Sequence, residues 1–194
     1  MENEAKLSEF YLELRGKLAR SGRPLVLVGL MGAGKTAVGF KLASRLNMPI
    51  IDSDREIEES ARMPISDIFA KYGEVEFRAL EKRVILRILE TPDQIISTGG
   101  GALTTEECRT AIKKLAISVW LRVDLDEIER RVARKNNRPL METPDRRQKI
   151  EQLHREREPF YAAADIIIDS LESSDSTTNA LMDRLDLYLS QDPS

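Results

Sequence analysis

The stretch Gly29-Leu30-Met31-Gly32-Ala33-Gly34-Lys35-Thr36 decides the fold of this chain. It fits the pattern G-x-x-x-x-G-K-[ST], in which the backbone N–H groups of a glycine-rich loop surround phosphate oxygens. The apolar run 25–28 before it predicts a buried strand, and residues 37–43 after it predict the start of a helix. A glycine-rich turn without a ligand would not need this strand-loop-helix context. The sequence therefore predicts that the chain binds a nucleoside triphosphate.

Each part of this loop has a chemical task at a phosphate. The helix that follows adds the positive end of its dipole, Lys35 brings a point charge to the outer phosphates, and Thr36 offers a hydroxyl to Mg²⁺. The predicted nucleotide-binding residues of this segment are Gly32, Ala33, Gly34, Lys35, Thr36 and Ala37.

Composition excludes several other classes of site. The chain has 194 residues, 41% hydrophobic and 32% charged, with a formal net charge of −3 of mixed sign, so nucleic acid is not an expected partner. One cysteine and one histidine cannot build a disulfide within the chain or a zinc site of several Cys and His ligands. No apolar run reaches membrane-spanning length, and the first residues do not resemble a secretion signal, so we expect a cytoplasmic protein without a membrane partner.

The pattern of apolar residues predicts a three-layer α/β/α domain around a parallel sheet. Five apolar segments alternate with helical ones, as in parallel sheets that helices cover on both faces. The predicted strands are 25–28, 48–51, 94–98, 116–121 and 166–168. A break at Gly73 divides the helical region 55–90, and the polar stretch 173–178 predicts a loop before a last helix at 179–190.

A helix precedes the first strand. An apolar stripe at helical spacing runs through residues 3–20 and consists of Leu7, Phe10, Tyr11, Leu14 and Leu18. We interpret residues 1–22 as an N-terminal amphipathic appendage and residues 23–194 as one domain. The stripe either packs on that domain or contacts a partner, so a monomer is expected and a dimer through this helix stays open.

Two further segments, one acidic and one of glycines, follow predicted strands. Asp52 and Asp54 follow the second strand, and Gly99, Gly100 and Gly101 follow the third. Carboxyl ends of parallel strands meet at one edge of a sheet, so these residues are expected beside the phosphate loop. If the segment is extended, both carboxylates face the same way, one for Mg²⁺ and one for a substrate hydroxyl. Either could instead cap the next helix, and the triplet could be a simple turn.

These motifs together resemble the shikimate kinase family, a group with the fold of P-loop kinases. The resemblance covers almost everything after residue 24. The matching segments, in family order, are 29–36, Asp52-Ser53-Asp54, 65–69, Gly73 to Arg78 with Glu81, Gly99-Gly100-Gly101, Arg138-Pro139-Leu140 and Arg157-Glu158-Pro159-Phe160-Tyr161. The resemblance implies transfer of a phosphoryl group from MgATP to the 3-hydroxyl of shikimate, a small trihydroxy carboxylic acid.

Residue roles follow from the resemblance. Arg78 and Arg157 match the arginines that bind the substrate carboxylate, and Asp54 matches the residue that binds ring hydroxyls and serves as general base. The triplet would close the substrate side, with Phe77 as an apolar wall that could equally be ordinary core. Glu81 is expected to orient Arg78.

The resemblance also implies two nucleotide-side arginines. Arg138 matches an arginine in a mobile lid, about residues 134–147. This arginine would cover the phosphates and act in catalysis beside Lys35 and Asp54. The residues alone, without the resemblance, would favour a solvated charge on a loop. Arg131 matches an adenine-stacking position, although a helix-dipole role competes. Two other readings stay open, a kinase for another hydroxy acid such as gluconate and a non-catalytic nucleotide-binding relative.

Overall fold

Five strands form one parallel sheet in the computed structural model, which describes residues 2–133 and 145–191. The strands are β1 (Leu25–Val28), β2 (Ile50–Asp52), β3 (Ile95–Ser97), β4 (Ile117–Arg122) and β5 (Ile166–Asp169). Their order across the sheet is β2-β3-β1-β4-β5, with every neighbouring pair parallel. The predicted α/β fold with a five-stranded parallel sheet is confirmed.

Helices cover both faces of this sheet. They are α1 (Glu2–Ser21), α2 (Lys35–Leu46), α3 (Ser53–Ala61), α4 (Ile65–Leu89), α5 (Glu106–Leu115), α6 (Leu125–Ala133), α7 (Arg146–Tyr161) and α8 (Ser174–Gln191), with a 3₁₀ turn at Ala102–Thr104. Every residue of β1 and β3 is buried, and because successive strand side chains point to opposite faces, both faces must be covered. None of the described helices combines the length and apolar character needed to cross a membrane.

The N-terminal helix packs on the helices of the main body. Leu14 and Leu18 of α1 are fully buried, and α1 contacts α8 and α2. Lys17 Nζ donates to Asp186 Oδ1 of α8 at 2.8 Å, and Arg15 pairs with Asp93. Half of Leu7 remains exposed. The division at residue 22 and a dimer contact through α1 stay predictions.

One predicted boundary is wrong and one predicted break is confirmed. Residues 174–178 of the predicted loop 173–178 are helical, since α8 begins at Ser174. The Ser173 hydroxyl accepts from Ser176 N at 3.0 Å and so satisfies the first turn, and the Thr177 hydroxyl donates to Ser173 O at 2.9 Å. Polar residues that resemble a loop therefore form a capped helix start. At Gly73 the expected break is confirmed, as a kink inside α4 with φ 78° and ψ 177°.

Candidate active site

The phosphate-binding loop connects β1 to α2. Gly32 and Gly34 have φ values of 81° and 91°, in the left-handed region that other residues rarely adopt. Gly34 caps α2 without a side chain, so nothing covers the first N–H groups of the helix from this position. Such N–H groups and the helix dipole form an anion site. The local geometry that the sequence predicted for residues 29–36 is present.

Lys35 lies beneath this loop. Its Nζ donates to Gly29 O at 2.8 Å and to Leu30 O at 3.0 Å, and only 8% of the residue is exposed. The loop carbonyls thereby hold the ammonium group at the floor of the loop. A bound phosphate would offer it a charged acceptor in addition, and charge-assisted hydrogen bonds are stronger than those to neutral carbonyls.

One cavity of about 380 Å³ joins the loop to the other predicted site segments. It is bounded on one side by the loop and the start of α2, and on the other by residues that follow β2 and β3. The lining residues outside the loop include Asp52, Asp54, Thr98, Gly99, Gly100, Arg131, Val132, Ser170, Ser174 and Thr177. The edge of the sheet thus brings together the carboxylates, the glycine segment and the phosphate loop.

Three side-chain oxygens meet at the start of α2. Thr36 Oγ1 donates to Asp52 Oδ2 at 3.1 Å and lies 3.3 Å from Ser97 Oγ. A carboxylate and hydroxyls beside a phosphate loop are the hard oxygen ligands that Mg²⁺ takes, together with phosphate oxygens and water. Within the described residues there is no cluster of three or more His, Cys, Asp or Glu that could form an all-protein metal cage. The donor set fits Mg²⁺ bound jointly with a nucleotide.

Asp52 and Asp54 line the same cavity for a reason that differs from the predicted one. Asp52 ends β2 and is the N-cap of α3, where its Oδ1 accepts from Asp54 N at 3.1 Å. Asp54 therefore lies in the first helical turn and not in an extended segment, so strand alternation does not explain its direction. A Cβ built on Gly99 would overlap Asp54 Oδ1, which places the carboxylate against the glycine segment.

Hydrogen bonds fix the backbone of the glycine triplet. Gly99 N donates to Ser53 Oγ at 2.9 Å, and Thr104 N donates to Gly101 O at 2.9 Å. A Cβ on Gly100 would lie 3.1 Å from Met31 N of the phosphate loop. A Cβ on Gly101 would lie 2.8 Å from Arg78 Cζ. The Met31 backbone on one side and the Arg78 side chain on the other leave little room for a Cβ, which explains the glycines and argues against a loose turn.

Arg78 is held over the triplet by two acidic residues of its own helix. Its Nη1 donates to Glu81 Oε2 at 2.6 Å, and its Nη2 donates to Glu74 Oε1 at 3.2 Å. Glu81 is buried, which raises the pKa of its carboxyl, and the Arg78 and Arg157 guanidiniums offset only part of that shift. The expected orientation of Arg78 by Glu81 is confirmed. Phe77 is buried below Arg78 and packs on Phe69 with ring centroids 4.4 Å apart, so its contact with a substrate stays a prediction.

Arg157 reaches the triplet from the other side. Its Nη1 donates to Gly100 O at 3.0 Å, and the Tyr161 hydroxyl donates to the same oxygen at 2.5 Å. The two guanidiniums of Arg78 and Arg157 thus converge on consecutive residues of one short segment. The sequence pattern predicted no role for Tyr161, although this residue closes the matching segment Arg157 to Tyr161. Its spacing of four from Arg157 on one helix was the available signal.

Arg131 lines the cavity beside the phosphate loop. Its Nε donates to Glu127 Oε1 at 2.6 Å, and its Nη1 lies 3.4 Å from the carbonyl oxygens of Gly32 and Ala33. It also contacts Ser170 Oγ at 3.3 Å. Stacking on adenine stays a prediction. Residues 134–144 of the predicted lid, which include Arg138, lie outside the described residues. The last two residues of the predicted lid, 146 and 147, belong to α7.

Known proteins resemble this chain over most of its length. The family model for shikimate kinase matches residues 31–186. The shikimate kinase of Mesorhizobium japonicum is 51% identical over 156 residues, which are 80% of this chain and 77% of that relative. The shikimate kinase of Novosphingobium aromaticivorans is 46% identical over 195 residues, 97% of this chain and 100% of the relative, so this alignment reaches into α1.

Solved structures agree with the sequence comparisons. A shikimate kinase from Acinetobacter baumannii in complex with shikimate superposes with a TM-score of 0.81 at 35% identity, over 89% of this chain and 96% of that one. A gluconokinase from Sinorhizobium meliloti, at 15% identity and a TM-score of 0.59, shares the fold. With the family model matching well over half of the chain and relatives near half identical, this chain belongs to the shikimate kinase family.

Proposed function

We propose that this protein transfers the γ-phosphoryl group of ATP to the 3-hydroxyl of shikimate, a step before chorismate in aromatic amino-acid synthesis. The main structural support for this proposal is the position of two arginines. Two guanidiniums, of Arg78 and Arg157, contact the glycine segment whose middle residue also touches the phosphate loop. A carboxylate bound by those arginines would hold its ring beside the terminal phosphate.

The arginines suit recognition of a small carboxylic acid. A planar guanidinium can form paired hydrogen bonds with a carboxylate, which fixes orientation as well as position. Arg78 has a fifth of its side chain exposed, while Glu81 behind it is 2% exposed. The guanidinium can therefore meet a ligand on its open side while Glu81 holds its buried side. Alignment of this kind is a large part of catalysis by kinases.

Asp54 is the proposed general base. It lines the cavity and lies against Gly99, between the triplet and the phosphate loop. In the proposed step Asp54 accepts the proton of the 3-hydroxyl, and the substrate oxygen forms a bond to the γ-phosphorus. The bond between that phosphorus and the bridging oxygen of ADP breaks, and ADP leaves with that oxygen's electron pair.

The remaining groups neutralise charge. Lys35 and the N–H groups of the loop would contact the phosphates, and Thr36 with Asp52 would hold Mg²⁺, which supplies further positive charge when bound. Arg138 is proposed to add a cation from the lid during transfer. Function in the cytoplasm as a monomer, with a dimer through α1 as the alternative, also stays a proposal.

A coupled assay for ADP release tests the function. Shikimate, gluconate and nucleoside monophosphates are offered separately with ATP and Mg²⁺. We expect turnover with shikimate and none above the ATP-only rate with the others. Turnover of gluconate or a nucleotide alone would overturn the substrate assignment. Binding of ATP without turnover of any acceptor would favour a non-catalytic role, which the presence of Lys35, Asp54 and Arg157 argues against.

A further inference from the structure

The carbonyl oxygen of Gly100 accepts two hydrogen bonds from one helix. Tyr161 Oη donates at 2.5 Å and Arg157 Nη1 donates at 3.0 Å. The two residues are four apart in α7, so their side chains lie on the same face of that helix. A carbonyl oxygen has two lone pairs, and here both have a partner.

Tyr161 is built into the core as a fixed donor. It is 2% exposed, and its ring lies 5.9 Å from the Trp120 ring, measured between centroids. Burial raises the pKa of its hydroxyl to about 12, although the Arg157 guanidinium acts to lower it. The hydroxyl therefore keeps its proton at neutral pH. A buried ring cannot easily change rotamer, so the hydrogen bond is held in place.

The Gly100 carbonyl lies where the two halves of the site meet. Gly100 approaches Met31 N of the phosphate loop, and Gly101 approaches the Arg78 guanidinium. The peptide unit that carries Gly100 O also carries Gly101 N–H on its opposite edge, because the unit is planar and trans. Fixing this oxygen from α7 therefore fixes the plane of the whole unit between the phosphate loop and Arg78.

The same bond also affects Arg157. If Tyr161 did not donate, Gly100 O would depend on Arg157 alone among these two donors, and a part-buried carbonyl that loses one of its partners lies in a less favourable environment. Arg157 would then be tied more strongly to the backbone. A substrate carboxylate would compete with that carbonyl for the guanidinium, and its affinity would fall.

We propose that Tyr161 is a positioning residue for shikimate phosphorylation, which fixes the Gly100–Gly101 peptide and leaves Arg157 available to the substrate carboxylate. The role needs the hydroxyl and not the ring alone. It rests on the proposed function, since it concerns how the same substrate is held.

The test is Tyr161→Phe, which removes one hydroxyl and keeps the ring packed on Trp120. We expect kcat/KM for shikimate to fall about tenfold, roughly the effect of one hydrogen bond, mainly through a higher KM. KM for ATP should stay within twofold. The matched control is Ile150→Val, which lowers stability at a buried position of the same helix that does not line the cavity. It should change neither KM.

Binding is measured separately from turnover. Trp120 is the only tryptophan of the chain and lies beside Tyr161, so its fluorescence gives the dissociation constant of shikimate, at 10 °C if the variant melts early. A weaker affinity in Tyr161→Phe supports the proposal. Unchanged affinity and kcat/KM, or an equal loss in Ile150→Val, overturns it. If the wild type does not phosphorylate shikimate at all, the proposed function fails instead.

Discussion

Replacing Glu81 by Gln tests whether a buried carboxylate holds Arg78, the proposed substrate-binding arginine, in place. Glu81 is 2% exposed and pairs with Arg78 at 2.6 Å, whereas Glu74, the second partner of Arg78, is 68% exposed. Gln keeps the size and one acceptor but removes the charge. The guanidinium would then be held by neutral and solvent-exposed groups, and its orientation over the triplet would be less restricted.

The size of the effect follows from these exposures. A hydrogen bond to a charged group contributes about 1.5–3 kcal/mol, and the lower end applies because Gln still accepts one bond. About 1.5 kcal/mol corresponds to roughly a tenfold rise in KM for shikimate. Glu74→Gln is the matched control, since an exposed pair in a helix contributes about 0.3–0.5 kcal/mol and should change KM about twofold.

The pH dependence gives a second signature. Burial raises the pKa of Glu81, so its protonation begins at a higher pH than for an ordinary glutamate, and a protonated Glu81 resembles Gln. We therefore expect KM of the wild type to rise as pH falls and to converge on that of Glu81→Gln. Ionisation of the substrate itself affects both enzymes equally and cancels in their ratio.

Stability should behave differently from KM. Folding raises the pKa of Glu81, so the protonated form of this residue favours the folded state. Its ionised form lowers the free energy of unfolding, and that cost is fully present above the folded pKa. Removing the charge at pH 7 should therefore leave Tm within a few degrees of the wild type. The reasoning is refuted if KM is unchanged while Tm collapses, or if the ratio of the two KM values does not depend on pH.

Three further predictions use other parts of the site. Asp54→Asn should lower kcat by ~10²–10³ and leave the dissociation constant of ATP within twofold by calorimetry; normal turnover would remove the role as base. Gly101→Ala places a Cβ against Arg78 and should raise KM for shikimate about tenfold in the coupled assay. The control Gly16→Ala, inside α1, should leave KM unchanged and raise Tm. The same KM in both variants would contradict the contact between residue 101 and Arg78. Cys108 is fully buried, and burial raises the pKa of its thiol from 9.0 to about 11, so alkylation at pH 8 should be at least ~100-fold slower than in the unfolded chain. The free energy of unfolding should also fall from pH 9 to pH 11, because only the unfolded thiol loses its proton in that range. Equal alkylation rates would refute this prediction.

The parts of the fold that depend on local sequence could be predicted. The loop at 29–36 needs glycines where φ is positive, and such positions can be read along the chain. Central strands of a parallel sheet are continuous apolar runs, so β1, β3 and β4 were found from pattern alone. The kink at Gly73 was visible for the same reason as the loop.

What depends on contacts between distant segments could not be predicted. Ser97 meets Thr36 only because β3 lies beside β1, and Tyr161 meets Gly100 across 61 positions of sequence. The direction of Asp54 was expected for the wrong reason, since the chain turns into α3 directly after Asp52. The start of α8 was missed because serine hydroxyls that favour turns also cap helices.

The two oxygens of the Asp52 carboxylate face the two halves of the proposed site. Oδ2 accepts from Thr36 at the nucleotide side, and Oδ1 accepts from the backbone of Asp54, the proposed base for the alcohol. We therefore expect occupation of one half to affect binding at the other through this shared carboxylate. Thermodynamic linkage requires such an effect to be reciprocal: by whatever factor ATP improves the affinity for shikimate, shikimate improves the affinity for ATP.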